Sequence, residues 1–195
     1  MPFVRLACYL AWPRRYLAGR HFTKSNNGWR WAWQGIWLQK VLGFNRHVPW
    51  PVSPFTKILN PKNIEFDPDD LNNFQSPGCY YSNSAGGRIT IGRGTYIAPN
   101  VGIITTNHDP RNPDAHLEPK DVVLGERCWL GMNAVILPGV KLGPNTVVAA
   151  GSVVGRSYQK GNVVLVGVPA RVSQLIEEQA GGMEADRAAG GSSDA

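Results

Sequence analysis

Residues 122–154 read VVLGERCWLGMNAVILPGVKLGPNTVVAAGSVV, a stretch that repeats its own pattern every six positions. An amphipathic α-helix would need apolar residues at spacings of three and four, and a single long strand would alternate every two residues. A period of six instead fits a chain that forms a short strand, turns a corner and repeats, so that three sides complete one coil. The recurring aliphatic residues are Leu124, Leu130, Ile136, Leu142, Val148 and Val154.

The same repeat predicts what fills the interior of each coil. The aliphatic side chains point inward, and so do the small or modest side chains that stand four positions after them. Glycine often follows the aliphatic residue, where it relieves the backbone at a corner. The sequence therefore predicts an all-β solenoid, a parallel β-helix whose coils lie about 4.8 Å apart. The small inward residues are Cys128, Ala134, Val140, Thr146 and Ser152.

The repeat has one interruption. Ile91, Ile97 and Ile103 keep the six-residue period and predict an earlier coil, but Leu124 follows Ile103 by 21 residues, which is not a multiple of six. The polar, Pro-rich residues 109–121 fit neither a strand nor a helix, and we expect them to leave the coil as an extruded loop. Loops held by a rigid scaffold are frequent sites of function.

Charge is distributed unevenly along the 195 residues. The formal net charge is +6, but residues 1–64 hold ten Lys or Arg and no acidic residue, whereas residues 65–195 hold ten basic and fourteen acidic residues. Six of the seven Trp also lie within residues 1–50, where a helix over 29–42 is predicted. Two interpretations stay open for this segment: peripheral contact with an anionic membrane, or cover for an open end of the solenoid or for a subunit contact. No nucleic-acid-binding motif accompanies the basic residues, so no nucleic-acid partner is expected.

The chain divides into three predicted parts. Residues 1–63 form a basic, Trp-rich segment with a Pro-rich connector, residues 64–172 form the β-helix, and residues 173–195 form a short helix and a disordered tail. No apolar run reaches about 20 residues, and the start lacks the pattern of a cleaved signal peptide. The three Cys have no metal-ligand spacing, which favours a reducing compartment and neither a metal site nor disulfides.

His108 stands at the root of the extruded loop. A neutral imidazole can take a proton from a hydroxyl group at neutral pH. The surrounding sequence resembles the left-handed β-helix, or hexapeptide-repeat, acyltransferases, and in particular the galactoside and maltose O-acetyltransferases and those of capsule and lipopolysaccharide synthesis. The resemblance covers about residues 75–177. Its motifs are TTNHD (105–109), CWLG (128–131), VILPGV (135–140), AGSVV (150–154) and GVPAR (167–171).

The resemblance implies a left-handed prism, a homotrimer, and acetyl-CoA bound in the groove between neighbouring prisms. It gives His108 the role of a general base that deprotonates the acceptor hydroxyl for direct attack on the thioester. It also implies that backbone N–H groups near Met132 face the developing oxyanion. Two departures are visible: Gln174 stands where these enzymes often have Arg, and the acid-free N-terminus lacks their acidic acceptor contacts.

The remaining site residues carried over from the resemblance fall into two groups. Asn83, Asp109 and Trp129 are expected on the acceptor side of the site. The coenzyme is expected to meet the backbone at two small residues as well as at Met132, and its phosphates to meet three cations. These coenzyme residues are Ala150, Gly151, Arg156, Lys160 and Arg171.

The sequence thus favours an O-acetyltransferase that acts on a saccharide or lipid-linked saccharide in surface polysaccharide or glycolipid synthesis. We expect it in the cytoplasm, with peripheral contact at the inner membrane face as one open interpretation of the N-terminus. One alternative is a zinc hydro-lyase like the γ-type carbonic anhydrases, for which His108 and His116 lack a third ligand. Another is a non-catalytic scaffold that associates with a membrane.

Overall fold

The computed structural model describes residues 2–177, and its centre is a three-sided parallel β-helix. The first sheet contains β1 (Lys57–Ile58), β3 (Tyr80–Ser82), β6 (Gly102–Ile104), β11 (Val135–Ile136) and β14 (Val153–Val154). The second contains β5 (Tyr96–Ile97), β10 (Trp129–Leu130), β13 (Val147–Val148), β15 (Val163–Val166) and β16 (Arg171–Leu175). The third contains β2 (Ile64–Phe66), β4 (Ile89–Ile91), β9 (Val122–Leu124) and β12 (Lys141–Leu142).

Strand pairing follows the six-residue period. Each repeat moves the chain to the next side, so that Leu124 lies beside Leu142 in the third sheet, three repeats later. Leu130 and Ile136 pair in the same way within the second and first sheets. The six aliphatic residues of the period are at most 3% exposed, and the small residues that follow them by four are at most 1% exposed. The predicted interior of the parallel β-helix is therefore confirmed.

One corner of the prism brings successive coils together at glycines. A Cβ atom added to Gly125 would lie 2.6 Å from the carbonyl carbon of Gly143 in the next coil. A Cβ atom on Gly143 would lie 2.2 Å from the backbone oxygen of Gln159. These distances leave no room for a side chain, so the stacking of the coils at this corner depends on glycine.

The extruded segment is more regular than the sequence indicated. Residues 109–121 were expected to form neither strand nor helix, but β7 (His108–Asp109) and β8 (Asn112–His116) pair as an antiparallel hairpin. Asp109 stabilises the turn, because its Oδ1 accepts a hydrogen bond of 2.8 Å from the Arg111 backbone N–H. The Pro and polar residues of this segment did not indicate strands, because a short exposed hairpin does not need alternating apolar residues.

The end of the β-helix corrects a second expectation. The short helix expected from residue 173 is wrong as far as Leu175, because β16 runs back antiparallel along the edge strand β15. The backbone hydrogen bonds of this pairing prevail over local helix propensity. The rest of that expected helix and the disordered tail expected for residues 180–195 lie outside the described residues, except for 176 and 177, which are in neither helix nor strand.

Within the described residues, three α-helices precede the coils, in addition to a single 3-10 turn at Arg14–Tyr16. The α-helices are numbered in chain order. They are α1 (Pro2–Ala11), α2 (Arg20–Thr23) and α3 (Asn27–Gly35), and α3 continues as a π-helix over Ile36–Val41. The helix predicted over 29–42 is therefore present, with a widened second half. Buried Gln39 connects it to the chain that enters the prism: its Oε1 accepts from the Val52 N–H at 2.8 Å, and its Nε2 donates to the Trp50 carbonyl at 3.3 Å.

Aromatic side chains join the N-terminal segment to the first coil. Trp50 is 1% exposed, and its ring lies 5.1 Å from that of Phe74 and 4.9 Å from that of Phe66. Arg20 adds a polar connection, with its backbone N–H donating to Asp69 Oδ1 at 2.7 Å and its guanidinium forming a 3.1 Å ion pair with Asp70. The hydrogen bond from Arg20, ahead of the Arg93 guanidinium, lowers the pKa of Asp69.

Candidate functional site

His108 begins the hairpin, and its ring is held by one hydrogen bond. Nδ1 lies 2.6 Å from the backbone oxygen of Pro113, on the opposite strand. A carbonyl oxygen can only accept, so Nδ1 must carry the hydrogen of a neutral ring. The remaining nitrogen, Nε2, then holds the lone pair and is the atom that can accept a proton.

His116 packs against His108 across the hairpin. The two ring centroids are 4.3 Å apart with an interplanar angle of 38°, and the two residues are partners in the hairpin register. From the sequence, His116 was considered beside His108 only as a second ligand in the zinc alternative. The ring of His116 therefore packs against one face of the His108 ring.

Two cavities meet at the root of the hairpin. The first, of about 300 Å³, is bordered by both imidazoles and by outward side chains of the first sheet. The second, of about 480 Å³, extends from the hairpin along the later coils toward Leu137 and Gly155. Asn107 borders both cavities. The root of the hairpin is thus bordered by two cavities.

Residues missed by the sequence reasoning line the smaller cavity. Tyr80, Ser82 and Thr106 border it together with the two histidines. Tyr80 and Ser82 flank the buried Tyr81 on β3, so they point away from the interior. This alternation is visible in the sequence, but the β3 register was needed to place it beside the hairpin.

Asn83 does not have the expected role. The side chain is fully buried, and its amide is occupied at both ends by one residue: Oδ1 accepts from the Asn60 N–H at 2.9 Å, and Nδ2 donates to the Asn60 carbonyl at 2.7 Å. These bonds leave the amide unavailable to an acceptor. The structure therefore corrects the expectation of acceptor binding, and Asn83 instead positions Asn60. Asp109, likewise expected on the acceptor side, uses Oδ1 in the hairpin turn.

The residues expected to contact the coenzyme through their backbone lie together on another corner of the prism. Met132, Ala150 and Gly151 stand between the second and first sheets, and the Gly151 N–H donates to the Met132 carbonyl at 2.8 Å. The Met132 N–H has no hydrogen-bond partner within residues 2–177. A Cβ atom on Gly151 would meet nothing within 4 Å, so a ligand can approach the backbone there.

The width of the first sheet separates this corner from His108. Trp129 is also distant from the hairpin in the topology, because it lies on the second sheet between Tyr96 and Val147, with 56% of its surface exposed. A single chain therefore presents the expected site residues on two ridges and does not bring Trp129 beside His108. The two ridges can face each other only if a second copy contributes one of them.

The three expected phosphate-binding cations lie near the last coil. Arg156 stacks over Tyr158 at 5.1 Å and donates to its hydroxyl, which in turn donates to the Ala170 carbonyl. Arg171 donates to the same carbonyl at 3.0 Å, so the two arginines approach one backbone oxygen. Lys160 borders a separate cavity of about 310 Å³ with β16. Arg156 and Arg171 are thus grouped, whereas Lys160 borders a different cavity.

The repeat region of the chain is similar to known proteins. Residues 121–156 match the family model described as bacterial transferase hexapeptide (six repeats). The galactoside O-acetyltransferase of Escherichia coli K12 is 38% identical over 96 residues, which is 47% of this chain and 46% of that protein. The chain spans about half the length of the curated relatives that it matches.

The chain is also similar to solved structures. A maltose O-acetyltransferase from Clostridium difficile 630 is 36% identical over 51% of this chain and 54% of its own, with a TM-score of 0.47. AntD, an N-acyltransferase from Bacillus cereus crystallised with a nucleotide sugar and coenzyme A, covers 65% of this chain and 81% of its own at 19% identity and a TM-score of 0.50. The predicted left-handed β-helix is confirmed.

Proposed function

We propose that this protein, whose residues 121–156 match the hexapeptide family model, works as a hexapeptide-repeat acyltransferase and transfers an acetyl group from acetyl-CoA to a saccharide hydroxyl. One observation carries the proposal more than any other. The hydrogen bond from His108 Nδ1 to the Pro113 carbonyl leaves Nε2 as the proton acceptor, beside a cavity large enough for part of a sugar.

The reaction needs one proton acceptor and one site for negative charge. His108 Nε2 takes the proton of the acceptor hydroxyl as its oxygen attacks the thioester carbonyl carbon. The tetrahedral oxyanion then accepts a hydrogen bond from the Met132 N–H, the carbon–sulfur bond breaks, and the imidazolium returns its proton to the leaving thiolate. The base contributes about 10²–10⁴-fold to the rate, and binding both substrates in one groove supplies much of the remainder.

We propose a homotrimer, because the site residues of one chain lie on two separated ridges. A neighbour that places its Met132 and Gly151 corner against the hairpin would complete the groove for acetyl-CoA. The exposed Tyr96, Trp129 and Met132 offer apolar surface for such a contact. Arg156 and Arg171 at the end of the ridge then lie where the coenzyme phosphates emerge, with Ala150 lining the path, whereas Lys160 borders a separate cavity.

We propose that the acceptor belongs to a surface polysaccharide or glycolipid, handled at the cytoplasmic face of a membrane. The relatives include a galactoside O-acetyltransferase, which supports a saccharide acceptor. The membrane part rests on apolar residues that the N-terminal helices expose beside basic ones. No helix within residues 2–177 is long and apolar enough to cross a bilayer. The exposed side chains are Phe3, Leu6, Leu10, Trp37, Val41, Leu42 and Phe44.

A thiol-release assay with acetyl-CoA and a panel of sugars and sugar phospholipids tests the transferase. We expect His108→Asn to lower kcat by about 10²–10⁴-fold, because Asn retains an amide donor but cannot take the proton. His21→Asn, a histidine outside the hairpin, is the matched control and is expected to keep the wild-type rate. A folded His108→Asn protein that transfers acetyl at the wild-type rate would refute the proposed base.

The two alternative functions gain no specific observation. Within residues 2–177, no group of three or more His, Cys, Asp or Glu side chains is arranged to hold a metal ion, so nothing in the arrangement favours a zinc hydro-lyase. A scaffold without catalysis predicts no affinity for acetyl-CoA. Calorimetry with acetyl-CoA separates that alternative from the transferase.

A further inference from the structure

Another cavity, on the side of the N-terminal segment, adjoins the one at His108. It measures about 730 Å³, lies between the N-terminal segment and the first coil, and is bordered by Arg15, His47 and Lys62. Leu59 lines both this cavity and the smaller one that contains the two imidazoles. The two cavities are therefore neighbours at Leu59. The volume falls in the range of about 300–1,000 Å³ that is typical of small-molecule sites.

Packing holds two of the three basic groups in place. The Arg15 guanidinium lies 4.6 Å above the ring of Tyr16, and that ring is stacked on Phe66 at 5.9 Å with an interplanar angle of 8°. His47 is anchored through Nε2, which lies 2.7 Å from the Ile58 carbonyl. Side chains that are already ordered lose little conformational entropy when a ligand binds.

A buried amide fixes the third side of the cavity. Asn83 holds the backbone of Asn60 from both directions, and Asn60 Oδ1 accepts a hydrogen bond of 3.2 Å from the Lys62 N–H. The turn that carries Lys62 is therefore tied to the end of β3, next to the smaller cavity. This connection gives the buried Asn83 a purpose: it keeps the two cavities in a constant relation.

The charge of the cavity is positive. Among its described lining residues none is acidic, and residues 1–64 contain ten Lys or Arg and no Asp or Glu. Glu65, the first acidic residue of the chain, is paired with Arg88. Guanidinium and ammonium groups bind phosphate oxygens through strong charge-assisted hydrogen bonds, with Arg suited to two oxygens at once.

We propose that this cavity binds the phosphate or diphosphate group of a glycosyl phosphate acceptor. The anionic group lies between Arg15 and Lys62, and the attached sugar passes Leu59 so that one hydroxyl reaches His108. This inference rests on the proposed acetyl transfer, and it names the class of the acceptor. The phosphate can belong to a soluble sugar phosphate or to a lipid-linked one, because Arg15 and Lys62 would bind the phosphate oxygens of both in the same way.

Calorimetry with inorganic pyrophosphate tests the site without any turnover. Saturating coenzyme A is present throughout, so that anion binding in the coenzyme groove does not contribute. The double variant Arg15→Gln/Lys62→Gln is expected to raise the Kd at least about tenfold, whereas the control Lys24→Gln/Arg30→Gln, with the same charge change on the same segment, leaves it unchanged. An equal Kd in the two variants, or no binding to the wild type at millimolar pyrophosphate, overturns the proposal.

Kinetics separate this proposal from the transferase itself. Each sugar 1-phosphate of a panel is compared with its uncharged methyl glycoside and with the same phosphate carried on a short polyprenyl chain. In Arg15→Gln/Lys62→Gln, and to a smaller degree in Lys62→Gln alone, the KM for the sugar phosphates is expected to rise. The kcat and the KM for the methyl glycosides are expected to stay unchanged. A KM that rises equally for charged and uncharged acceptors overturns the anion site.

The wild-type values in the same assay identify the source of the phosphate. A lower KM for the polyprenyl phosphates indicates a lipid-linked acceptor, and an equal KM indicates a soluble one. Absence of thiol release with every acceptor would instead contradict the acetyl transfer, and the pyrophosphate result would still decide whether the cavity binds anions.

Discussion

A single backbone carbonyl determines the chemistry available to His108. Because the Pro113 oxygen accepts from Nδ1, the neutral ring is held in the tautomer whose Nε2 is free, and His116 restricts the ring from one face. Neither Pro113 nor His116 belongs to a recognisable sequence motif. The type of residue at 108 could be predicted from the chain, whereas the hydrogen bond that prepares it could not, since it depends on the hairpin.

Gly125 gives a prediction at the same scale. Gly125→Ala is expected to lower the free energy of unfolding by about 1–3 kcal/mol, because the new methyl group would meet the backbone of Gly143 in the next coil. Gly102→Ala is the matched control, since a Cβ atom there would lie 3.8 Å from Val135, an ordinary contact. Urea denaturation followed by circular dichroism measures both variants.

The control is informative in its own right. Gly102 lies within β6, so replacement by Ala is expected to leave stability unchanged or raise it by up to about 1 kcal/mol through the unfolded chain. Equal losses in Gly125→Ala and Gly102→Ala would contradict the tight stacking assigned to that corner.

Among the elements, those that follow the period could be predicted and those that depend on a distant partner could not. The aliphatic repeat alone identifies the strands from β9 to β14, because each side of the prism has the same requirement. The sequence of β16 carries no such period, and its strand exists because the edge of β15 supplies hydrogen bonds. The acceptor-binding role expected for Asn83 was wrong for a similar reason. Its hydrogen-bond partner, Asn60, is brought near by the pairing of β1 with β3.

The N-terminal helices divide their aromatic and aliphatic residues between two faces. Trp12 and Trp29 are buried, whereas Leu6, Leu10 and Trp37 are each more than half exposed. The two interpretations of the segment thus describe different residues: the inward side chains pack within the protein, and the outward ones remain available to a partner.

Vesicle flotation tests the outward face. We expect the wild-type protein to float with vesicles that contain phosphatidylglycerol, and Leu6→Gln/Leu10→Gln to remain in the dense fraction, because apolar burial in the interface is lost. Phe55→Gln, which removes a side chain that is 76% exposed in the connector, is the control and is expected to float. Flotation of the Leu6→Gln/Leu10→Gln protein at the wild-type level would refute membrane contact through α1.

At the scale of the whole molecule, the candidate site is divided between ridges that one chain keeps apart. The proposed acetyl transfer would therefore require association of chains, and Trp129 is exposed on a flat side of the prism and does not line the His108 cavity. Sequence reasoning placed these residues in one site by resemblance. One chain carries them on different faces, and a second copy is the simplest way to bring them together.

Light scattering tests that association. The wild-type protein is expected at three times the 21.4 kDa mass of one chain, and Trp129→Glu at a lower mass with reduced thiol release, because a charge replaces apolar contact area. Val41→Glu, on the N-terminal helices, is expected to keep the trimer. A wild-type protein that is monomeric and fully active would contradict the shared groove.

The antiparallel strand at the end of the second sheet has a consequence for solubility. Stacked parallel strands leave an unpaired edge at the last coil, and such an edge can recruit the first coil of another molecule and polymerise end to end. β16 occupies that edge with a strand of the opposite direction and with Arg171 among its exposed residues. Loss of this one strand would favour amyloid-like fibres over discrete particles.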